Sequence, residues 1–200
     1  MIYTLQLIRH AKTKLTDSKV YCGSTDVQIS DDGIDFIMEK KNLSSFKITD
    51  CYYTTDLVRT QQTLKHLFGD IKYKIIPELR ECDFGIFEGK THNELIDNSD
   101  YLAWIEDKTG DYKCPGGESV NSFNNRIKNA FIELFKNIKK SNLHSHTLVA
   151  HGGTISQFYI EFVNSSLNLY EAMPKYVCGY EVVFTLDSNA TFNIVKINII

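Results

Sequence analysis

Apolar residues fall along this chain in two rhythms, and the alternation between them predicts its elements. Ile2 to Ile8, Ile48 to Tyr53 and Thr147 to Ala150 are short runs largely free of charge, as expected of strands buried on both faces of a parallel sheet. Leu57, Leu64, Leu67 and Phe68 recur instead at helical spacing and stop before Gly69, a natural C′ residue. Val120, Phe123, Ile127, Ala130, Phe131, Leu134 and Ile138 make the clearest amphipathic helix in the chain. Strands separated by such helices predict right-handed βαβ units. Val177 to Leu186 and Thr191 to Ile199, joined through Asp187-Ser188-Asn189, predict an antiparallel hairpin added to the sheet. The expected fold class is α/β, a three-layer α/β/α sandwich around a mostly parallel mixed sheet with a C-terminal antiparallel hairpin.

Composition narrows this picture. A chain of 200 residues that is 42% apolar can bury a sizeable core without disulfides or metals. No repeat, low-complexity tract or linker interrupts it, so the expected organisation is a single domain over residues 1–200, with a small lid-like segment at about 91–117. The 22 basic and 25 acidic side chains leave a net charge of −3, which speaks against a nucleic-acid partner and supplies no polybasic membrane anchor. Cys22, Cys51, Cys82, Cys114 and Cys178 never form a C-x-x-C pair, so neither a disulfide framework nor a zinc ribbon is expected, and a reducing cytoplasm is the better match. Met1 to Ile8 lacks a basic region before it and runs into Arg9-His10, unlike a signal peptide, and no apolar stretch is long enough to span a membrane.

In open α/β sheets, ligands sit outside the carboxyl ends of the strands. Arg9-His10 follows the first apolar run, Arg59 lies just beyond the second at the start of a helix, and His151-Gly152-Gly153 follows the third. If these strands are parallel neighbours, two arginines and two histidines converge on one edge as a cationic pocket suited to a phosphoryl group. Arginine offers a planar fork that bridges phosphate oxygens and stays charged, so Arg9 and Arg59 would clamp the phosphate and its transition state. Imidazole is a nitrogen nucleophile near neutral pH, so one histidine can split a hydrolysis into two easier steps while the other donates to the same oxygens. Gly152-Gly153, at a strand-to-helix turn, lets the backbone approach an anion. Glu81, on a loop after a short apolar segment, can supply the acid that a leaving alcohol needs.

Six segments then stand in a telling order: Leu7-Ile-Arg-His-Ala-Lys-Thr13; Tyr21-Cys-Gly-Ser-Thr-Asp26 followed by Ile29-Ser-Asp-Asp-Gly33; Tyr53-Thr-Thr-Asp-Leu-Val-Arg-Thr-Gln-Gln-Thr63; Leu79-Arg-Glu-Cys-Asp-Phe-Gly85 with Glu88-Gly89; Pro115-Gly-Gly-Glu-Ser119; and Val149-Ala-His-Gly-Gly153. Together they resemble the histidine phosphatase superfamily, the phosphoglycerate mutase-like proteins, over nearly the whole chain. The resemblance implies that His10 is the phosphorylated nucleophile, that Arg9, Arg59 and His151 form the phosphate pocket, and that Glu81 is the general acid. It further implies that Thr13 lines the pocket, that Gly23, Ser24 and Thr25 form a loop near the substrate, and that neither a metal nor a cofactor is required. One departure is Ala11, where the family usually has glycine; alanine is excluded only if that position needs a positive φ.

Within the superfamily the motif spacing is most similar to the alpha-ribazole phosphatase branch, whose substrate is a nucleotide-like precursor of the cobalamin lower ligand. The expected function is a metal-independent phosphomonoester hydrolase acting on a small phosphorylated metabolite, in that role or as a broad-specificity phosphatase. The alternatives are a phosphoglycerate mutase and a non-catalytic phospho-ligand binding module. Thr91 to Cys114 carries only Lys108 and Lys113 against Glu94, Asp97, Asp100, Glu106, Asp107 and Asp111, a balance poorly suited to holding a highly charged glycerate. A pure binding module would need neither His10 nor Glu81. Tyr101 and Trp104 could line a leaving-group pocket, although core positions of a short lid helix are the simpler expectation. His66, His92, His144 and His146 have no ligand-like partners, with His144-x-His146 expected in a loop before a strand. Arg126, Lys128, Lys136, Lys139 and Lys140 read as a solvated helix face. The oligomeric state is left open.

Overall fold

The three largely uncharged runs supply neighbouring strands in the middle of one sheet. The computed structural model describes residues 1–43 and 46–200. Its strands are β1 (Ile2–Arg9), β2 (Cys51–Thr54), β3 (Lys74–Ile75), β4 (Ser145–Ala150), β5 (Gly179–Leu186) and β6 (Phe192–Ile199). They join in the order β3-β2-β4-β1-β5-β6. β4 runs parallel to both β1 and β2, β3 runs parallel to β2, and β5 and β6 continue antiparallel from β1. The helices are α1 (Asp31–Leu43), α2 (Val58–Phe68), α3 (His92–Leu95), α4 (Ser99–Glu106), α5 (Val120–Ser141) and α6 (Gly152–Phe162).

Period-two alternation in the strands assigns the layers. Leu5, Leu7, Leu148, Ala150, Val182 and Phe184 pack with Phe123, Ile127, Phe131, Leu134 and Ile138 of α5 and Ile155 and Phe158 of α6. Ile8, Val149 and Tyr52 lie in the opposite cluster with Ile37 of α1 and Leu64 and Leu67 of α2. The result is the α/β/α sandwich with its C-terminal hairpin. Gln6, buried in the middle of β1, is satisfied by the Lys47 backbone and the Thr147 hydroxyl.

The sequence expectations need four adjustments. The second strand begins at Cys51 rather than Ile48; Ile48 is exposed, and pairing with β4 starts where Cys51 meets His146. His146 is a fully buried residue of β4 and not part of a loop, its ring nitrogens facing the Tyr53 hydroxyl at 3.3 Å and the Leu143 carbonyl at 3.1 Å. α1 goes unseen in the periodicity because most of its apolar residues fall in one short stretch, Ile34, Phe36, Ile37 and Met38, between Asp31-Asp32 and the charged run Glu39-Lys40-Lys41, too little to sustain a pattern over several turns. Arg126, expected on a solvated face, is instead tied down against the Glu81 loop. Among the described residues no helix is long and apolar enough to cross a membrane.

A third, smaller cluster of Phe87, Leu95, Tyr101 and Cys114 gathers beneath α3 and α4, apart from the two that flank the sheet.

Candidate active site

Strand register decides what meets at the sheet edge. Arg9 pairs with Ala150, and Thr54 with Val149, so three parallel strands end nearly level and the residues that follow them emerge together. His10 still donates its backbone N–H to the Ala150 carbonyl at 2.9 Å, which ties its backbone to the strand ladder. Arg59 sits in the first turn of α2, and His151 is the residue from which α6 starts.

The His10 ring is polarised for attack. Its Nδ1 lies 2.7 Å from the Ala11 carbonyl, which can only accept, so Nδ1 carries the proton and Nε2 the lone pair. Burial, reinforced by the positive charge of Arg59, holds its pKa well below 6.5. His151 packs edge-on against it with ring centroids 5.3 Å apart. Burial, with Arg59 and His10 beside it, likewise keeps His151 neutral. The Thr55 hydroxyl stands 3.0 Å from His151 Nε2; with that hydroxyl donating, Nδ1 of the neutral ring bears the hydrogen. Ala11 lies outside the left-handed region that Lys19, Asn142, Val177 and Ala190 occupy, so its methyl needs no glycine.

Both arginines are anchored at one end. Arg9 donates Nη1 to the Pro174 carbonyl at 2.9 Å, and its guanidinium lies 3.9 Å above the centre of the Tyr176 ring. Arg59, 1% exposed, donates to the Gly23 and Thr25 carbonyls at 2.6 and 2.8 Å. Burial lowers its pKa, but the guanidinium stays charged. Among the described residues, Arg9 Nε, Arg59 Nε and His151 Nδ1 are buried polar atoms with no partner in the chain. Three orphaned nitrogens on side chains grouped around His10 are what an anion with several oxygens would satisfy.

Glu81 closes the cleft. Its carboxylate accepts from the backbone N–H of Cys82 at 3.0 Å and of Gly153 at 2.8 Å, the latter in the first turn of α6. A side chain at Gly153 would put Cβ 2.3 Å from the Glu81 carboxylate, and one at Gly152 would put it 3.1 Å from the Arg9 guanidinium. The paired glycines thus let the helix start press on both groups. Arg126 locks the loop from behind: it forks onto Glu118 at 2.8 and 2.6 Å and donates to the carbonyls of Glu78, Arg80 and Glu81.

A polar cleft of about 170 Å³ results, lined among others by Arg9, His10, Thr13, Arg59, Glu81, Cys22 and Tyr176. Thr13 lies on its wall, 3.3 Å from the Thr16 hydroxyl. Gly23, Ser24 and Thr25 stand one layer behind, presenting carbonyls to Arg59 and hydrogens to Glu88. Sharing Cys22 and Glu81 is a second chamber of about 470 Å³, walled by Tyr21, Phe84, Trp104, Phe123, Tyr170 and Met173. Trp104 therefore lines a pocket, whereas Tyr101 is core, bonded to the Tyr21 hydroxyl at 2.7 Å and to His92 at 2.6 Å.

Sequence reading missed Tyr176, Arg126, Thr55 and the second glycine's contact with Glu81. Tyr176 reaches Arg9 because Val177 turns with φ of 51°, a strained value for a β-branched residue that no local pattern announces. Arg126 had a signal, an arginine eight residues beyond the glutamate of Pro115-Gly-Gly-Glu-Ser119, but it pointed to no particular partner.

Comparison with known proteins agrees with this geometry. The Histidine phosphatase superfamily (branch 1) matches residues 5–199. An Escherichia coli (strain K12) protein named adenosylcobalamin/alpha-ribazole phosphatase is 28% identical over 157 residues, 76% of this chain and 75% of its own. An acid phosphatase of Mycobacterium tuberculosis is 26% identical over 189 residues, 90% of this chain and 87% of its own. The structure of the alpha-ribazole phosphatase of Shigella flexneri superposes with a TM-score of 0.79 at 23% identity, covering 96% of this chain and 95% of that one, a likeness of fold.

Proposed function

Because this chain belongs to the histidine phosphatase superfamily (branch 1), we propose that it hydrolyses small phosphomonoesters through a phosphohistidine at His10. The orphaned nitrogens of Arg9, Arg59 and His151 around a neutral, oriented His10 carry the reading. They would donate to the equatorial phosphoryl oxygens and stabilise the charge that builds on them. His10 Nε2 attacks phosphorus in line as the ester P–O bond breaks, and Glu81 gives its proton to the departing oxygen. The Glu81 carboxylate then takes a proton from water as that water attacks phosphorus. The N–P bond breaks, its electron pair returns to Nε2, and inorganic phosphate leaves.

The leaving group would occupy the aromatic chamber beside Glu81. Flat walls such as Trp104 and Phe84 favour an aromatic or nucleoside-like alcohol over a small charged acid. The acidic bias of the 91–117 segment points the same way. These features support alpha-ribazole phosphate, or aromatic phosphomonoesters generally, as the substrate.

Phosphate release by the purified protein should be measured without added metal on alpha-ribazole phosphate, p-nitrophenyl phosphate, phosphoserine and 3-phosphoglycerate. Samples quenched in alkali, in which a phosphohistidine survives, should be checked for phosphate on His10. Turnover of the aromatic esters with a labelled His10 is the expected result. No release and no labelling would overturn the hydrolase reading, and interconversion of phosphoglycerates primed by a bisphosphate would replace it with a mutase.

A further inference from the structure

Glu88 belongs to a motif that the chemistry above does not use. It follows the single 3-10 turn Gly85–Phe87, and its carboxylate collects the backbone N–H groups of Gly23 (2.9 Å), Ser24 (2.8 Å), Thr25 (3.2 Å) and Phe84 (3.2 Å). The Thr25 hydroxyl adds a fifth donor at 2.5 Å. Successive amides converging on one anion form the concave arrangement that proteins use to hold phosphate, here filled by the protein's own carboxylate.

The other side of the same backbone faces the site. With the amides of residues 23–25 drawn to Glu88, the carbonyls of Gly23 and Thr25 are presented to Arg59, which donates Nη2 at 2.6 Å and Nη1 at 2.8 Å. Carboxylate, peptide dipoles, guanidinium and substrate phosphate then alternate in sign, each orienting the next. Gly23 makes the layering possible: a Cβ there would fall 1.6 Å from the Cys82 carbonyl oxygen.

We propose that Glu88 is a positioning residue for phosphate binding, acting through the backbone of residues 23–25 to set the Arg59 guanidinium. The Gly23 and Thr25 carbonyls hold both Nη atoms of the fork and leave Nε for the ligand. This rests on the reading of Arg59 as a phosphate clamp.

The test compares E88Q, E88D and T25V with the unaltered protein, using calorimetric affinity for inorganic phosphate, orthovanadate inhibition, and KM and kcat on p-nitrophenyl phosphate. E88Q keeps the size of the side chain and loses its charge. It should weaken phosphate and vanadate binding and raise KM together, on the order of tenfold, as expected for loss of charge-assisted bonds. The kcat should fall less than KM rises, E88D should recover part of the affinity, and T25V should show a smaller shift of the same kind. A folded E88Q with unchanged phosphate affinity overturns the proposal; if E88Q does not fold, unchanged affinity in T25V does so. Phosphate binding needs no turnover. A protein that binds phosphate in a Glu88-dependent way without hydrolysing esters would therefore refute the hydrolase reading alone.

Discussion

The two ends of the cleft are built differently. At the phosphate end, Arg9 and His10 hang from the central strand, His151 from its parallel neighbour, and Arg59 from the first turn of a helix packed on the sheet. At the other end, Trp104 and Phe84 rest on a separate small cluster around Phe87, Leu95 and Tyr101, and Tyr170 stands exposed. The first is locked by ladder bonds and burial. The second shares Glu81 with the first but draws Trp104 and Tyr170 from segments outside the sheet, where side chains can vary while the arginines and histidines stay on their strands and helices.

The largest effect should come from the phosphate end. His10→Ala should lower phosphate release by at least about 10³-fold and abolish alkali-stable, acid-labile phosphate labelling of the protein, since the residual pocket lacks a nucleophile. Circular dichroism and the melting temperature should change little; retained activity would break the assignment. Glu81→Gln should slow turnover of poor leaving groups by roughly 10²–10⁴-fold and that of p-nitrophenyl phosphate much less, because nitrophenolate leaves without a proton.

Arg126→Met tests the join between the two ends. It should reproduce part of the Glu81→Gln leaving-group dependence and lower stability in urea melts by roughly 1.5–3 kcal/mol, since several charge-assisted bonds vanish. A stability loss with no change in leaving-group dependence would separate the arginine from the acid.

The acid limb of the pH response belongs to the phosphate end. His10 and His151 are both held neutral well below 6.5, so kcat/KM should stay level through pH 6.5 and decline only at lower pH, as His10 protonates. Because their folded pKa values are depressed, the unfolded chain binds more protons below 6.5; stability is full above that pH and is lost as pH falls beneath it. Urea melts at neutral and acidic pH measure this, and His10→Ala should flatten the slope. The smallest effect should be that of Trp104→Ala, raising KM for aromatic esters roughly tenfold while leaving phosphate affinity unchanged. A lost kcat there would erase the contrast between the two ends.

The grouping of the candidate residues was legible because each lies just beyond a largely apolar run, and strand ends are where α/β sheets place their sites. Arg9-His10, Arg59 and His151 all obey that rule, and the structure groups them. Glu81 was legible as a residue but not in its setting, since the amide of Gly153 reaches it across 72 positions of sequence. Gly23, Ser24 and Thr25 were legible as a loop near the substrate, yet they stand behind Arg59, because backbone direction is invisible in a residue string.

The sequence by itself determined the layers, the edge at which ligands gather and the chemical class of the groups there, because period-two and period-3.6 patterns and strand-end positions are local properties. Only the tertiary structure decided that Arg126 grips the Glu81 loop, that Tyr176 lies over Arg9 and that Glu88 organises the backbone behind Arg59. Those contacts join segments far apart in the chain, most of them through backbone carbonyls and amides, so no local side-chain pattern specifies them.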